Sequence, residues 1–163
     1  MLSVFGSFLK FSTTEGTESH GRFHPARARK MSFSLDHLGI AVKSITVAKD
    51  IYAKIGLAAS EEESVPGEKI KVMMVPLGAT RLELLEPTSE DSVIAKFISK
   101  RGEGVHHISL RVPDLAAAVH NLKRSGVRLV SDEIKIGAGG HRYIFLHPSS
   151  TSGVLIELVE ASH

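Results

Sequence analysis

The 163-residue chain has no cysteine and no tryptophan, and only 6% of it is aromatic. Without thiols it can form no disulfide, offer no thiolate nucleophile and bind no metal through sulfur. Any metal ligands must be nitrogen or oxygen. No apolar run approaches the roughly 18 residues of a membrane span, so none is expected. A hydrophobic content of 42% with 23% charged residues excludes wholesale disorder and suits one globular domain with a sizeable core.

The formal charge of +2 raises nucleic-acid binding, and its distribution removes it. Lys10, Arg22, Arg27, Arg29 and Lys30 against Glu15 and Glu18 give residues 1–30 a charge of +3, which leaves −1 for the rest. The basic balance belongs to a leader, residues 1–32, set apart from a body at 33–163. The leader opens on bulky apolar residues mixed with Ser and Lys10, then becomes Ser/Thr-rich and ends in the arginine cluster. That composition is the one of an organelle import peptide, with a disordered tail lacking an address as the alternative that Glu15 and Glu18 leave open. A secretory signal fits less well, because no positive region precedes the apolar stretch. Met31 offers an internal start that would remove the leader.

The body compares with itself. Leu35-Asp36-His37-Leu38-Gly39-Ile40-Ala41-Val42 overlies Val105-His106-His107-Ile108-Ser109-Leu110-Arg111-Val112 at a constant offset of 70, which holds to Leu57 and Val127. Two modules, about 33–87 and 104–160, thus share one plan. Each opens with an alternating strand, 35–42 and 105–112. A helix follows: Ile45, Ala48, Ile51, Tyr52 and Ile55 recur at helical spacing before a stop at Gly56. Leu115, Ala118, Val119 and Leu122 do so before Gly126. Three β-like runs complete each module, near 57–61, 69–76 and 80–86, then near 127–131, 142–147 and 153–160. The expected fold is α+β: two βαβββ modules whose curved sheets enclose a metal-binding cleft.

The repeat singles out four residues. His37 and His107 hold equivalent places in the opening strands, and Glu83 and Glu157 in the closing ones. A carboxylate between two aliphatic residues of a strand points away from the face they bury. Pseudo-twofold pairing of the modules would gather two imidazoles and two carboxylates on the concave side. Such a set suits an octahedral divalent ion of the Co, Mn, Ni, Fe or Zn kind, with two positions open. Alternation favours His107 over His106. Met73 and Met74 read as packing, His120 as a water-facing helix residue, and Glu61-Glu62-Glu63 as a solvated loop or edge. Gly137-Ala138-Gly139-Gly140 reads either as a mobile rim over the cleft or as a plain hairpin connection. Arg111 shares the phase of His107 and is expected to pair with a carboxylate.

These strings resemble a known family. The twofold plan with its His and Glu places is similar to the vicinal oxygen chelate superfamily. Within it, 36–42, 82–87, 104–108, Lys135-Ile136-Gly137-Ala138-Gly139-Gly140 and 153–158 resemble the methylmalonyl-CoA epimerases, over residues 33–160. The resemblance implies a divalent-metal isomerase, with Co2+ the first choice and Mn2+, Ni2+ or Zn2+ alternatives, that interconverts the C2 epimers of methylmalonyl-CoA in propionate metabolism. It further implies a homodimer in the mitochondrial matrix and carries the metal ligands onto His37, Glu83, His107 and Glu157. No membrane or nucleic-acid partner is expected. The C2 hydrogen lies between a thioester and a carboxylate, and a chelating cation would stabilise the charge left by its removal. Glu157 is expected to move the proton on one side. Glu83, Lys71 or a water serves the other, Lys71 standing where one branch carries a third-strand carboxylate. Coenzyme A phosphates would find Lys69, Lys71, Lys135 or Arg142. A glyoxalase I-type lyase uses the same ligands, and the epimerase-like strings weigh against it. A metal-free binding module of the same fold would not need all four.

Overall fold

The computed structural model describes residues 32–161. The leader expected over residues 1–32 therefore lies outside the described residues up to position 31. In chain order the elements are β1 (Ser34–Ala41), α1 (Ile45–Lys54), β2 (Glu62–Val65), β3 (Ile70–Leu77), β4 (Thr80–Pro87) and α2 (Val93–Arg101). Then follow β5 (Gly104–Val112), α3 (Leu115–Arg124), β6 (Lys135–Ile136), β7 (Arg142–Leu146) and β8 (Ile156–Glu160). This is βαβββ twice, with α2 in the connection between modules, a stretch that the repeat leaves unassigned.

The strands lie in the order β2-β3-β4-β1-β5-β8-β7-β6. The two opening strands, β1 and β5, pair antiparallel at the centre, and each pairs parallel with its module's closing strand, β4 or β8. The expected pair of curved sheets is thus one continuous eight-stranded sheet, because the opening strands hydrogen-bond to each other directly. It curls into a half-barrel with a concave and a convex face.

Alternation sends every second residue to each face. On the convex face Val42, Met73, Val75 and Leu84 meet Ile45 and Ala48 of α1. Val112, Ile144, Leu146 and Leu158 meet Leu115, Ala118 and Val119 of α3 in the second module. Burying an aliphatic side chain of this kind contributes about 1.5–3 kcal/mol each. The helices start at side-chain caps: Ser44 accepts from the Val47 amide and Asp114 from the Ala117 amide. A carboxylate at each closing strand's end adds to this. Glu86 accepts from the Ile45 amide at 2.6 Å, and Glu160 from the Leu115 amide at 3.2 Å. Both helices stop just before a glycine with positive φ, Gly56 at +87° and Gly126 at +77°.

Two expected strands are displaced. Residues 57–61 form an extended connection in which the Ser60 amide donates to the Met74 carbonyl at 2.7 Å. Residues 127–131 hold one isolated bridge, Leu129 with Leu146. The apolar residues of these stretches, Leu57, Ala59, Val127 and Leu129, turn into the helix-side cores instead of a ladder. The paired edges come later, at β2, which takes in Glu62 and Glu63, and at β6. The last strand starts at Ile156 rather than near 153, after a turn through Pro148–Ser150 and Gly153 at φ +89°. On the concave side, Ile94 of α2 packs on Ala41, Val72 and Leu85. That small core closes one end of the half-barrel and leaves the middle free.

Candidate metal centre

The central strand pair aligns His37 with Ser109 and Gly39 with His107. The offset of 70 makes Gly39 the counterpart of Ser109, so each imidazole faces the other module's small residue. The fit at Gly39 is absolute: a Cβ there would lie 2.2 Å from His107 Cε1 and 2.4 Å from Nδ1. Gly39 is needed for the space it leaves, not for backbone freedom.

β4 and β8 bring Glu83 and Glu157 to the same face. All four expected residues are buried and converge. His37 Nε2 lies 3.1 Å from His107 Nε2 and 3.3 Å from Oε2 of both Glu83 and Glu157. His107 Nε2 lies 3.8 Å from Glu83 Oε2 and 3.9 Å from Glu157 Oε2. One donor atom each of His37, His107 and Glu157 falls within a mutual 4.8 Å, and Glu83 joins through the imidazoles.

The two histidines are braced by their preceding neighbours, which strict alternation would turn away. The register passes from Leu35–Leu110 to His37–Ser109 and from Gly39–His107 to Ile40–Val105. Asp36 and His106 are therefore the extra residues of two β-bulges, and a bulge re-aims its side chain. Asp36 Oδ2 lies 2.9 Å from His37 Nδ1. His106 Nδ1 lies 3.0 Å from His107 Nδ1, so His106, expected to face away, lines the cavity. Asp36 also accepts from Arg81 and from Arg111, and the latter meets the expectation of a carboxylate partner.

Electrostatics favour a cation at the convergence. Burial opposes charging of His37, but hydrogen bonds to Asp36 and Glu83 and the charges of Glu83 and Glu157 outweigh it and raise its pKa to about 9. His107 goes the other way, well below the usual range, through burial and the nearby His37 and His106. Burial, opposed by His37 and the Ser109 hydroxyl and reinforced by the Glu83 and Asp36 charges, raises Glu157 to about 7. Among the described residues Glu157 Oε2 is buried without a hydrogen-bond partner. A positive charge among two ring nitrogens and two carboxylates, one with an orphaned oxygen, is what a divalent ion would supply. The residues fit such an ion.

Around the donors the cavity encloses about 1060 Å3, part of it open to solvent. Its walls are largely apolar and include Val72, Met74, Leu85 and Phe145. The two methionines divide: Met73 enters the convex core and Met74 lines the cavity. Lys71 points to the other face, with Nζ 3.2 Å from Glu62 Oε1, and so is not a proton carrier for the cavity. The carboxylate that does line it from this region is Glu68, whose Oε1 accepts from Tyr143 Oη at 2.9 Å and Lys135 Nζ at 2.8 Å. The glycine-rich rim closes over the same edge, the Gly139 amide donating to Glu63 Oε1 at 3.1 Å. Among the basic residues weighed for coenzyme A, Lys69 pairs with Asp91 and Arg142 with Glu160. Asp36, Gly39 and Glu68 escape a reading by motif. Gly39 was accessible through the repeat, as the counterpart of Ser109, whereas a bulge and a turn leave no periodic trace.

Residues 36–145 match the Glyoxalase/Bleomycin resistance protein/Dioxygenase superfamily. The chain is 43% identical over 129 residues to the mitochondrial methylmalonyl-CoA epimerase of Homo sapiens, covering 78% of this chain and 73% of that protein. It is similar to the crystal structure of methylmalonyl-CoA epimerase from Mycobacterium tuberculosis, with a TM-score of 0.75, 39% identity, and coverage of 79% of this chain and 88% of that one. A Streptomyces coelicolor methylmalonyl-CoA epimerase variant in complex with 2-nitronate-propionyl-CoA has a TM-score of 0.75 and 37% identity, covering 79% of this chain and 94% of that one.

The Gly39 contact gives a direct test. Gly39→Ala should leave the far-ultraviolet circular dichroism intact while displacing His107, and should weaken Co2+ uptake by the metal-stripped protein about tenfold or more. A titration giving unchanged affinity would mean that the ring is not held against Gly39.

Proposed function

The chain belongs to the methylmalonyl-CoA epimerase family of the Glyoxalase/Bleomycin resistance protein/Dioxygenase superfamily, and we propose that His37, Glu83, His107 and Glu157 form the centre at which it epimerises C2 of methylmalonyl-CoA. It is an isomerase. The observation that carries the site assignment is the convergence of two imidazoles and two carboxylates in one buried cluster.

The four side chains would hold a divalent ion, Co2+ being the choice that the family resemblance favours. When bound, that ion supplies Lewis acidity toward the oxygens flanking C2. The rest falls to the chain's own groups. Glu157, raised to about 7 by burial, is a base poised near neutral pH, and its Oε2 faces the two imidazoles. It takes the C2 proton on one face. Epimerisation needs a proton returned from the opposite face, and Glu83 is the second carboxylate of the cluster. A second reading has its own support: Glu68 also lines the cavity, and both its donors engage the same oxygen, Oε1. The apolar walls of Val72, Met74, Leu85 and Phe145 exclude water around the reacting carbon.

The leader, residues 1–32, is proposed to direct the protein to the mitochondrial matrix, on its basic, Ser-rich composition. A homodimer is proposed on the family resemblance.

Glu157→Gln should abolish exchange of the C2 proton with deuterated solvent in the Co2+-loaded enzyme, read by mass spectrometry; retained exchange would remove Glu157 as the base. In the same assay, stripped wild-type enzyme should regain turnover when Co2+ is added back, and turnover indifferent to metal would defeat the cation assignment. A fluorescent protein carrying residues 1–32 should co-localise with a mitochondrial matrix marker, and a diffuse signal would dismiss the import role. Sedimentation of the purified chain should give twice the monomer mass, with a monomer value refuting the dimer.

A further inference from the structure

We propose that Asp36, clamped by Arg81 and Arg111, is the positioning residue that decides which nitrogen of His37 faces the metal centre, and that only the first module carries this device. The inference rests on the reading of His37 as a metal ligand.

Asp36 is 1% exposed and occupies the bulge before His37, so its carboxylate shares the cavity side with that ring. An ionised carboxylate only accepts hydrogen bonds. With Asp36 Oδ2 at 2.9 Å, the proton of a neutral His37 resides on Nδ1, and the Nε2 lone pair is left toward Glu83, Glu157 and His107. A ring without such a partner can turn or change tautomer, and a ligand set loses its aim.

The carboxylate itself is held from two sides. Arg81 Nη2 donates to Oδ2 at 2.5 Å, and Arg111 donates to Oδ1 from Nε at 2.7 Å and also from Nη2. Arg81 stands on β4 as the in-register partner of His37, and Arg111 stands on β5 in the other module. The clamp therefore fixes Asp36 to strands of both modules. With both oxygens engaged, Asp36 cannot swing away from the imidazole. An ion pair of purely structural purpose would need the two arginines but not the contact to Nδ1.

The second module fills the equivalent bulge with His106. That side chain gives His107 a neutral ring nitrogen at 3.0 Å and no carboxylate. The two pseudo-equivalent ligands are thus oriented by different chemistry, and the first is the more tightly defined.

The test uses the metal-stripped full chain titrated with Co2+ and followed by the visible absorption of the bound ion. Asp36→Asn should remain folded by circular dichroism, bind Co2+ about 10- to 100-fold more weakly, and show a changed visible spectrum. A folded Asp36→Asn with wild-type affinity and wild-type spectrum overturns the proposal. Should that variant fail to fold, Arg111→Gln keeps the carboxylate while loosening its clamp. A several-fold loss of Co2+ affinity is then expected, and an unchanged affinity overturns the proposal. Failure of the underlying reading is seen elsewhere: wild-type protein that takes up no Co2+, or a His37→Ala variant that binds it normally, rejects the metal centre itself.

Discussion

The antiparallel pairing of β1 with β5 is the interaction on which the rest depends. It joins two half-sheets into one, and its register decides what each module presents to the other. His37 faces Ser109 and His107 faces Gly39, so two rings that would collide with larger partners are admitted side by side. A slip of one residue between the strands would put the two rings on opposite faces of the sheet. The parallel partners β4 and β8 then deliver Glu83 and Glu157 from flanking positions. Neither module holds more than half of the cluster.

This arrangement places four ionisable groups out of water, an expensive state unless charges are matched. The matching is visible in the directions of the shifts. His37 is raised to about 9 while Glu157 is raised to about 7, so the protein alone retains a proton in the cluster at neutral pH. Asp36, by contrast, is lowered to about 2. Burial works against its ionisation, but hydrogen bonds from His37 and Arg111 and the charges of Arg81 and Arg111 prevail. A carboxylate held low thus stands behind His37, on the side of the ring away from Glu157.

Much of this was legible in the sequence because it is periodic. The offset of 70 exposed the modules, and alternation around Glu83 and Glu157 gave the face of both carboxylates. Periodicity also explains the misses. Asp36 and His106 sit in bulges, which break the alternation on which a facing argument relies. The connections at 57–61 and 127–131 alternate like strands because they cover helix-side cores, yet they form no ladder. Glu68 enters the cavity from a short turn, Pro66–Glu68, where no repeat pattern operates. Lys71, three residues on and inside β3, follows the alternation and faces away.

The paired bulges have a consequence for the two imidazoles. The irregularity occurs at the same place in both halves, since Asp36 and His106 are counterparts at the offset of 70. Each copy supplies one side chain that stands behind a neighbouring imidazole without belonging to the packed core or to the ladder. Each of these side chains contacts only its own neighbouring imidazole, Asp36 that of His37 and His106 that of His107. A carboxylate at one bulge and an imidazole at the other therefore give the two halves unlike surroundings for like rings on a scaffold that keeps its twofold plan.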